Sequence, residues 1–242
     1  MKTAFITGSS RGIGKSLAIR LSQDGFKVIV HGAISQKNAE ETVSIIRNNG
    51  GEADFVLGDL TNVEETAKVC EKIRDVDVLI TNASLQYRTP WEEIDLKACY
   101  EQINCNFVSS LMLIQAVSEH MKSQKWGRII TIGSVQERKP HPDMLIYSAT
   151  KAAQTNMSMS LALQLAKYSI TVNNVAPGVF NTDRNSEALS DPTYAKKVVD
   201  SIPVGFYAEP DDCAGIVSLL CSEEGRYITG QNIFVDGGKG IQ

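Results

Sequence analysis

Ala4-Phe5-Ile6-Thr7-Gly8-Ser9-Ser10-Arg11-Gly12-Ile13-Gly14-Lys15 runs from a short apolar, β-leaning stretch through a glycine-rich turn into a helical pattern. Glycines let a backbone turn tightly and approach a bulky anion, and a helix that starts there offers unpaired N–H groups and a partial positive charge. The spacing is G-x-x-x-G-x-G, a variant of the more common G-x-G-x-x-G arrangement. Such a turn is weak evidence alone, and its weight depends on what surrounds it.

Working outward, strand-like and helix-like segments alternate. Lys15 to Asp24 places Leu17, Ala18 and Leu21 on one helical face, and Gly25 follows as a C-terminal stop. Val28 to Val30 reads as a second strand, Ala39 to Asn48 as a helix, and Ala53 to Leu57 as a third strand ending at Gly58-Asp59. Val76 to Thr81, Arg128 to Ile132, Ile170 to Asn174 and Asn232 to Val235 are further strand candidates, with long helical stretches near 93–124, which reads as broken, and 147–168. The apolar runs are continuous rather than alternating, which indicates strands covered on both faces and hence a parallel sheet between helices. No repeat or linker interrupts the pattern. The expectation is one α/β domain over 1–242, a doubly wound Rossmann-type fold with a parallel sheet flanked by helices. On its first strand–helix junction, the turn reads as a dinucleotide site. From Val179 to Phe206 the alternation breaks after Pro177-Gly178, and that charged stretch is expected to be a lid.

Composition narrows the function. The chain is 43% apolar and 21% charged, with a net charge of only -4, which does not suggest a nucleic-acid partner. Five cysteines (70, 99, 105, 213 and 221) form no C-x-x-C pair and read as reduced thiols; the three histidines have no zinc-ligand spacing, so no metal is expected. No signal peptide or membrane span is visible, and a cytoplasmic location is the expectation.

An NAD site usually carries a carboxylate after the second strand, and an NADP site a cation. Here that strand ends His31-Gly32-Ala33-Ile34-Ser35 with no carboxylate, while Arg11, Ser35 and Lys37 are candidates for a 2′-phosphate. Arg11 reads alternatively as a solvated loop residue. NADP(H) is favoured over NAD(H).

Tyr147 and Lys151 lie four residues apart at the start of a helical segment, on one face. A phenol titrates near 10, and a neighbouring ammonium favours the phenolate, the tuning that acid–base catalysis requires. Ser134 follows a strand at the carboxyl end, where open α/β sheets bind ligands. Y-x-x-x-K or a loop serine alone would carry no weight.

Together these elements resemble the short-chain dehydrogenase/reductase family, in its classical subgroup, over essentially the whole chain. The T-G-x-x-x-G-x-G turn matches Thr7 to Gly14. Asp59-Leu60 matches the acidic element after the third strand that contacts adenine, Asn82-Ala83 the N-A-G element, and Pro177-Gly178-Val179 with Thr182 the stretch that holds the nicotinamide carboxamide. The resemblance implies that Gly8, Ser10, Arg11, Gly12, Ile13, Gly14, Asp59, Leu60, Asn82, Ala83, Tyr147, Lys151, Pro177, Gly178, Val179 and Thr182 bind cofactor. It further implies that Tyr147 passes a proton to or from the substrate oxygen, Ser134 orients that oxygen, Lys151 tunes the tyrosine and binds the nicotinamide ribose, and Asn106 holds a relay water. Asn104 competes for that last place, and the offset of Asn106 from Ser134 suits the family better. Two departures stand out: Ser84 replaces the glycine of N-A-G, and Ala33 stands where many NADP-using relatives carry arginine.

The implied reaction is hydride transfer between nicotinamide and a small-molecule carbonyl or alcohol. Overall similarity is to 3-oxoacyl-acyl-carrier-protein reductases and to sugar-acid or polyol dehydrogenases; a dinucleotide-binding regulator without catalysis is the alternative class. Val135 to Pro142 is unusually polar and reads either as the border of a polar substrate cavity or as a solvated loop, and Asn181, Arg184 and Asn185 in the lid are further polar candidates. The resemblance also implies a homotetramer, with Ile233 to Gly238 as interface strand and tail.

Overall fold

The expected alternation resolves, in a computed structural model describing residues 1–242, into one seven-stranded sheet ordered β3-β2-β1-β4-β5-β6-β7. The strands are β1 (Thr3–Ile6), β2 (Lys27–Gly32), β3 (Ala53–Leu57), β4 (Val78–Thr81), β5 (Gly127–Ile132), β6 (Ile170–Pro177) and β7 (Asn232–Val235). Every neighbouring pair is parallel. The chain builds outward from β1 to β3, then returns to the other side of β1 with β4. That reversal opens a crevice at the carboxyl ends of β1 and β4, the place where doubly wound sheets bind ligands.

Helices cover both faces, which explains the unbroken apolar runs. Along β1, Ala4 and Ile6 enter one core and Phe5 the other. The first core packs α1 (Gly12–Gln23), α2 (Gln36–Asn48) and the helix Ala214–Cys221 through Leu17, Leu21, Val43, Ile46, Val217 and Leu220. The second packs α3 (Val63–Lys72), the helix Ser109–Gln124 and the helix Leu145–Leu165 through Val69, Leu113, Val117, Met121, Ala162 and Leu165.

The helical stretch expected near 93–124 is indeed broken. It comprises α4 (Leu96–Ile103), a π-type turn over Asn104–Val108 and α5 (Ser109–Gln124). The helix opened by the tyrosine segment is α6 (Leu145–Leu165). The lid stretch contains α7 (Asp183–Leu189) and α8 (Pro192–Asp200), and α9 (Ala214–Cys221) returns the chain to β7. No helix is long and apolar enough to cross a membrane.

Several helix starts follow their sequence signals. Ser35, Asn62 and Asp95 cap α2, α3 and α4 by accepting backbone N–H groups of Asn38, Glu65 and Ala98. By contrast α1 begins at Arg11 with no side-chain cap and no acidic residue in its first turn. Its leading N–H groups have no intrahelical acceptor and stay open to an anion.

Candidate active site

The glycine-rich turn is braced from behind. Thr7 Oγ1 accepts the N–H groups of Asn82 (2.9 Å) and Ala83 (2.8 Å), while Asn82 Nδ2 donates to the carbonyls of Thr7 (2.9 Å) and Gly8 (3.2 Å). Thus the ends of β1 and β4 are stitched together at the crevice floor. Gly14 has to be glycine, because a Cβ there would lie 2.4 Å from the Gly8 carbonyl oxygen and 2.5 Å from Asn82 Nδ2. Gly8 and Gly12 both adopt positive φ (62° and 54°). Ile13 packs its side chain against the core, so it can offer a ligand only its backbone. Leu60 is buried in the second core and is limited in the same way.

Asp59 stands beyond β3 with Oδ1 accepting both the N–H and the hydroxyl of Thr61 at 2.9 Å, which leaves Oδ2 free. Ser10 borders the end of β2: its Oγ is 3.7 Å from where a Gly32 Cβ would stand. Arg11 reaches over the turn to Asp183 at 3.8 Å, and both side chains are about 70% exposed (71% and 68%). On the far side β6 ends at Pro177. Gly178 is needed because a Cβ would meet Asp236 Cα at 2.7 Å, and its N–H donates to the Val235 carbonyl. Val179 accepts from the Ala208 N–H. Thr182 precedes α7, and its methyl lies 3.5 Å from where a Gly12 Cβ would stand, so the base of the lid stretch lies against the glycine-rich turn.

The second group of residues gathers where β5 ends against α6. Ser134 and Tyr147 are both buried, and Lys151 is 1% exposed. Lys151 Nζ donates to the Ile132 carbonyl at 2.7 Å and to Gln154 Oε1 at 3.2 Å, and it lies 5.8 Å from the centre of the Tyr147 ring. Burial pushes the Lys151 ammonium down to about 7, with the Arg184 guanidinium acting in the same direction. Ser134 caps a single 3-10 turn, accepting the Gln136 N–H, and Gln136 Oε1 in turn accepts from Ser148 on α6 at 3.3 Å. The serine turn is therefore tied to the residue next to Tyr147.

Asn106 sits in the π-type turn, fully buried, with Nδ2 donating to the Leu85 carbonyl (2.9 Å) and to Thr150 Oγ1 (3.0 Å) and Oδ1 accepting the Leu85 N–H (2.8 Å). Thr150 donates to the Tyr147 carbonyl, which links Asn106 to α6. Asn104 points elsewhere, its Nδ2 donating to the Thr61 carbonyl at 3.0 Å. The Asn106 amide is committed at both ends, and its backbone carbonyl, which accepts from Ser110 Oγ at 3.3 Å, keeps a second lone pair with which to hold a water.

Several participating residues escape a motif-based reading. Glu137, in the polar segment after Ser134, turns inward: its carboxylate accepts from Thr155, Asn232 and, at 3.5 Å, Asn174. Arg138 stacks over the Phe234 ring at 4.1 Å. That segment is thus half bracing rather than simply solvated. His31, at the end of β2, is 1% exposed and bonds with both ring nitrogens. Its signal was present: a polar residue in a strand covered on both faces must find partners.

Comparison with known proteins agrees with this geometry. A family model described as short chain dehydrogenase matches residues 2–193. A 3-oxoacyl-[acyl-carrier-protein] reductase of Synechocystis sp. is 36% identical over 98% of this chain and 96% of its own length. Among solved structures, a 3-oxoacyl (acyl-carrier-protein) reductase from Agrobacterium tumefaciens C58 with NADP bound superposes with a TM-score of 0.94 at 33% identity, covering 98% of this chain and 93% of that one. A gluconate 5-dehydrogenase from Burkholderia cenocepacia in complex with NADP and tartrate gives 0.93 at 28% identity, covering 100% and 96%. With its doubly wound sheet, glycine-rich turn and buried lysine in place, the chain belongs to the short-chain dehydrogenase/reductase family of oxidoreductases that act on carbonyl or alcohol substrates.

Proposed function

We propose that this chain is an NADP(H)-dependent reductase of small carbonyl compounds, working on a 3-oxoacyl thioester or a small polar ketone. The observation that carries the reading is Lys151. An ammonium is costly to bury, yet this one is enclosed at the carboxyl end of β5, between the serine turn and the tyrosine.

The first turn of α1 fits a pyrophosphate, with open N–H groups at Gly12, Ile13 and Gly14. Asp59, Asn82 and Ala83 border the adenosine and ribose side, and Pro177 to Val179 with Thr182 the nicotinamide side. The absence of a carboxylate after β2 and the hydroxyl of Ser35 at the start of α2 support NADP over NAD. The Arg11–Asp183 pair is exposed and weak enough to yield Arg11 to a 2′-phosphate.

When bound, the nicotinamide supplies or accepts the hydride. Tyr147 Oη gives the proton to the substrate oxygen, or takes it in the reverse direction. Ser134 Oγ holds that oxygen in line, and Lys151 stabilises the phenolate and binds the nicotinamide ribose. The Asn106 carbonyl, in a π-type turn where regular helical pairing is interrupted, holds the relay water.

A second reading, a sugar-acid or polyol dehydrogenase, is favoured by Arg184, whose guanidinium stands at the start of the lid and reaches Ser84 across the cleft. Following NADPH and NADH oxidation over acetoacetyl thioesters, keto-sugars and keto acids separates the two. In the better system Tyr147→Phe should lose at least about a hundredfold in kcat while cofactor affinity is kept. Unchanged turnover would remove Tyr147 from the catalytic assignment, whereas cofactor binding with no turnover on any of these substrates would leave a binding protein.

Five free thiols support a reducing, cytoplasmic setting. A homotetramer is supported by Leu96, Tyr100 and Leu163, which stand exposed on α4 and α6, and by the open β7 edge. A single-chain mass by light scattering would remove that assignment.

A further inference from the structure

We propose that His31 is a positioning residue for cofactor binding: its neutral imidazole spans two loops and sets the distance between the glycine-rich turn and the Asp59 loop. The proposal rests on the dinucleotide reading above and concerns a residue outside its motifs.

The ring lies between the carboxyl ends of three strands. Nδ1 is 3.1 Å from the Gly8 nitrogen, in the phosphate turn after β1. Nε2 is 3.1 Å from the Gly58 oxygen, in the loop after β3 that carries Asp59. A backbone N–H can only donate, so Nδ1 must be the acceptor; a carbonyl can only accept, so Nε2 must carry the hydrogen. The contacts therefore specify one neutral tautomer. The histidine's own backbone completes the clasp: its N–H donates to Ser9 Oγ at 2.9 Å, and its carbonyl accepts the Ser9 N–H at 2.9 Å. Phe5 packs edge-on against the ring from the sheet, at 5.8 Å between centroids.

Few side chains can make this span. An apolar residue would leave the Gly8 N–H and the Gly58 carbonyl unpaired in a buried place. A carboxylate would accept from Gly8 but face the Gly58 oxygen with negative charge. Only a group with an acceptor and a donor at opposite ends joins the two loops. Both loops hold residues assigned to the cofactor, Gly8 to Gly14 on one side and Asp59 on the other. The consequence is specific: loosening the clasp should weaken dinucleotide binding more than it slows the chemistry at Tyr147, which stands on the other side of β4.

The test compares wild type, His31→Ala, His31→Gln and Ile46→Ala by NADPH fluorescence titration, steady-state kinetics and melting temperature. Ile46, buried in the first core, serves as a matched destabilising control. His31→Ala should weaken NADPH binding about tenfold, and raise its KM alike, with a much smaller change in kcat. His31→Gln, which retains an acceptor and a donor, should recover part of the loss. Ile46→Ala should lower the melting temperature without moving the cofactor KM. Nitrogen-15 NMR of the wild-type ring should show a hydrogen on Nε2 and none on Nδ1 at neutral pH, a readout independent of whether the variants fold. Wild-type affinity in His31→Ala, an equal KM rise in Ile46→Ala, or a hydrogen on Nδ1 would each overturn the proposal. If wild type binds neither NADPH nor NADH, the dinucleotide reading fails and takes the proposal with it.

Discussion

Around Thr7, Gly8, His31 and Asn82, polar groups pair with buried partners across three strand ends, whereas from Asp183 to Asp200 the chain is held by side chains standing in solvent. α7 buries no residue and α8 only Val198. The lid is nonetheless anchored at its base. Phe180 is buried and bridges to Ala208, and the Asn181 N–H donates to the Ala208 carbonyl at 2.7 Å. Both ends of the excursion are therefore pinned while its middle is free to open at little cost. The contrast suggests a division of labour: a preorganised cradle for an invariant ligand, and a cover that can admit and release a variable one.

The cradle's rigidity is what Gly14→Ala attacks, and this should be the largest effect. The added methyl would overlap the Gly8 carbonyl and Asn82 Nδ2, so either the turn or the β4 end must shift. Overpacking of this kind costs about 1–3 kcal/mol. Urea denaturation should show that loss, with NADPH affinity falling at least as far. A variant with native stability and affinity would mean that the turn is as pliable as the lid.

Lys151 offers a pH test of the same contrast. Its folded value of about 7 lies below the ordinary 10.5, so folding disfavours the protonated form. Below pH 7 the lysine is charged in both states and the full burial cost is present. Between pH 7 and 10.5 the unfolded chain binds the extra proton, so this contribution to stability rises with pH. Lys151→Met should lack that slope: its stability relative to wild type is most favourable near pH 6 and declines toward pH 10. Parallel stability profiles for the two proteins would show that the lysine is better solvated than its enclosure implies.

The same contrast governs what was legible in the sequence. In the cradle, chemistry and packing demand the same residues. Gly8, Gly12 and Gly14 are needed for φ or for close approach, and the apolar runs at β1, β4 and β5 are needed for two-sided cores, so pattern and structure coincide. Helix α9 is harder to read, because Ala-Gly-Ile-Val-Ser-Leu-Leu-Cys is apolar almost all round and carries no 3.6-residue signature. The long helix reads only as broken, since the π-type turn at Asn104–Val108 is stabilised by tertiary contacts of Asn106 rather than by local propensity. The inward turn of Glu137 is hidden for a similar reason. Its partners Thr155, Asn174 and Asn232 lie 18 to 95 residues away, beyond any local pattern.

Arg184→Ala should give the smallest effect and the most informative one for substrate. Its guanidinium donates to the Ser84 carbonyl at 2.7 Å and to the Ser84 hydroxyl at 3.1 Å, and this pair is exposed. Exposed contacts of this kind contribute about 0–1 kcal/mol, so the melting temperature should barely move. What should move is the lid. With the cross-cleft contact gone, opening is easier, and KM should rise roughly threefold, within the span that 1 kcal/mol allows. The rise can then be divided by comparing a keto acid with its neutral methyl ester. Equal increases mean that Arg184 only fastens α7 to the end of β4, which suits the thioester reading. A larger increase for the acid means that the guanidinium leaves Ser84 to meet a carboxylate, and the second reading becomes the better one. The serine at position 84 is part of that choice, because the glycine it replaces would offer Arg184 a carbonyl but no hydroxyl.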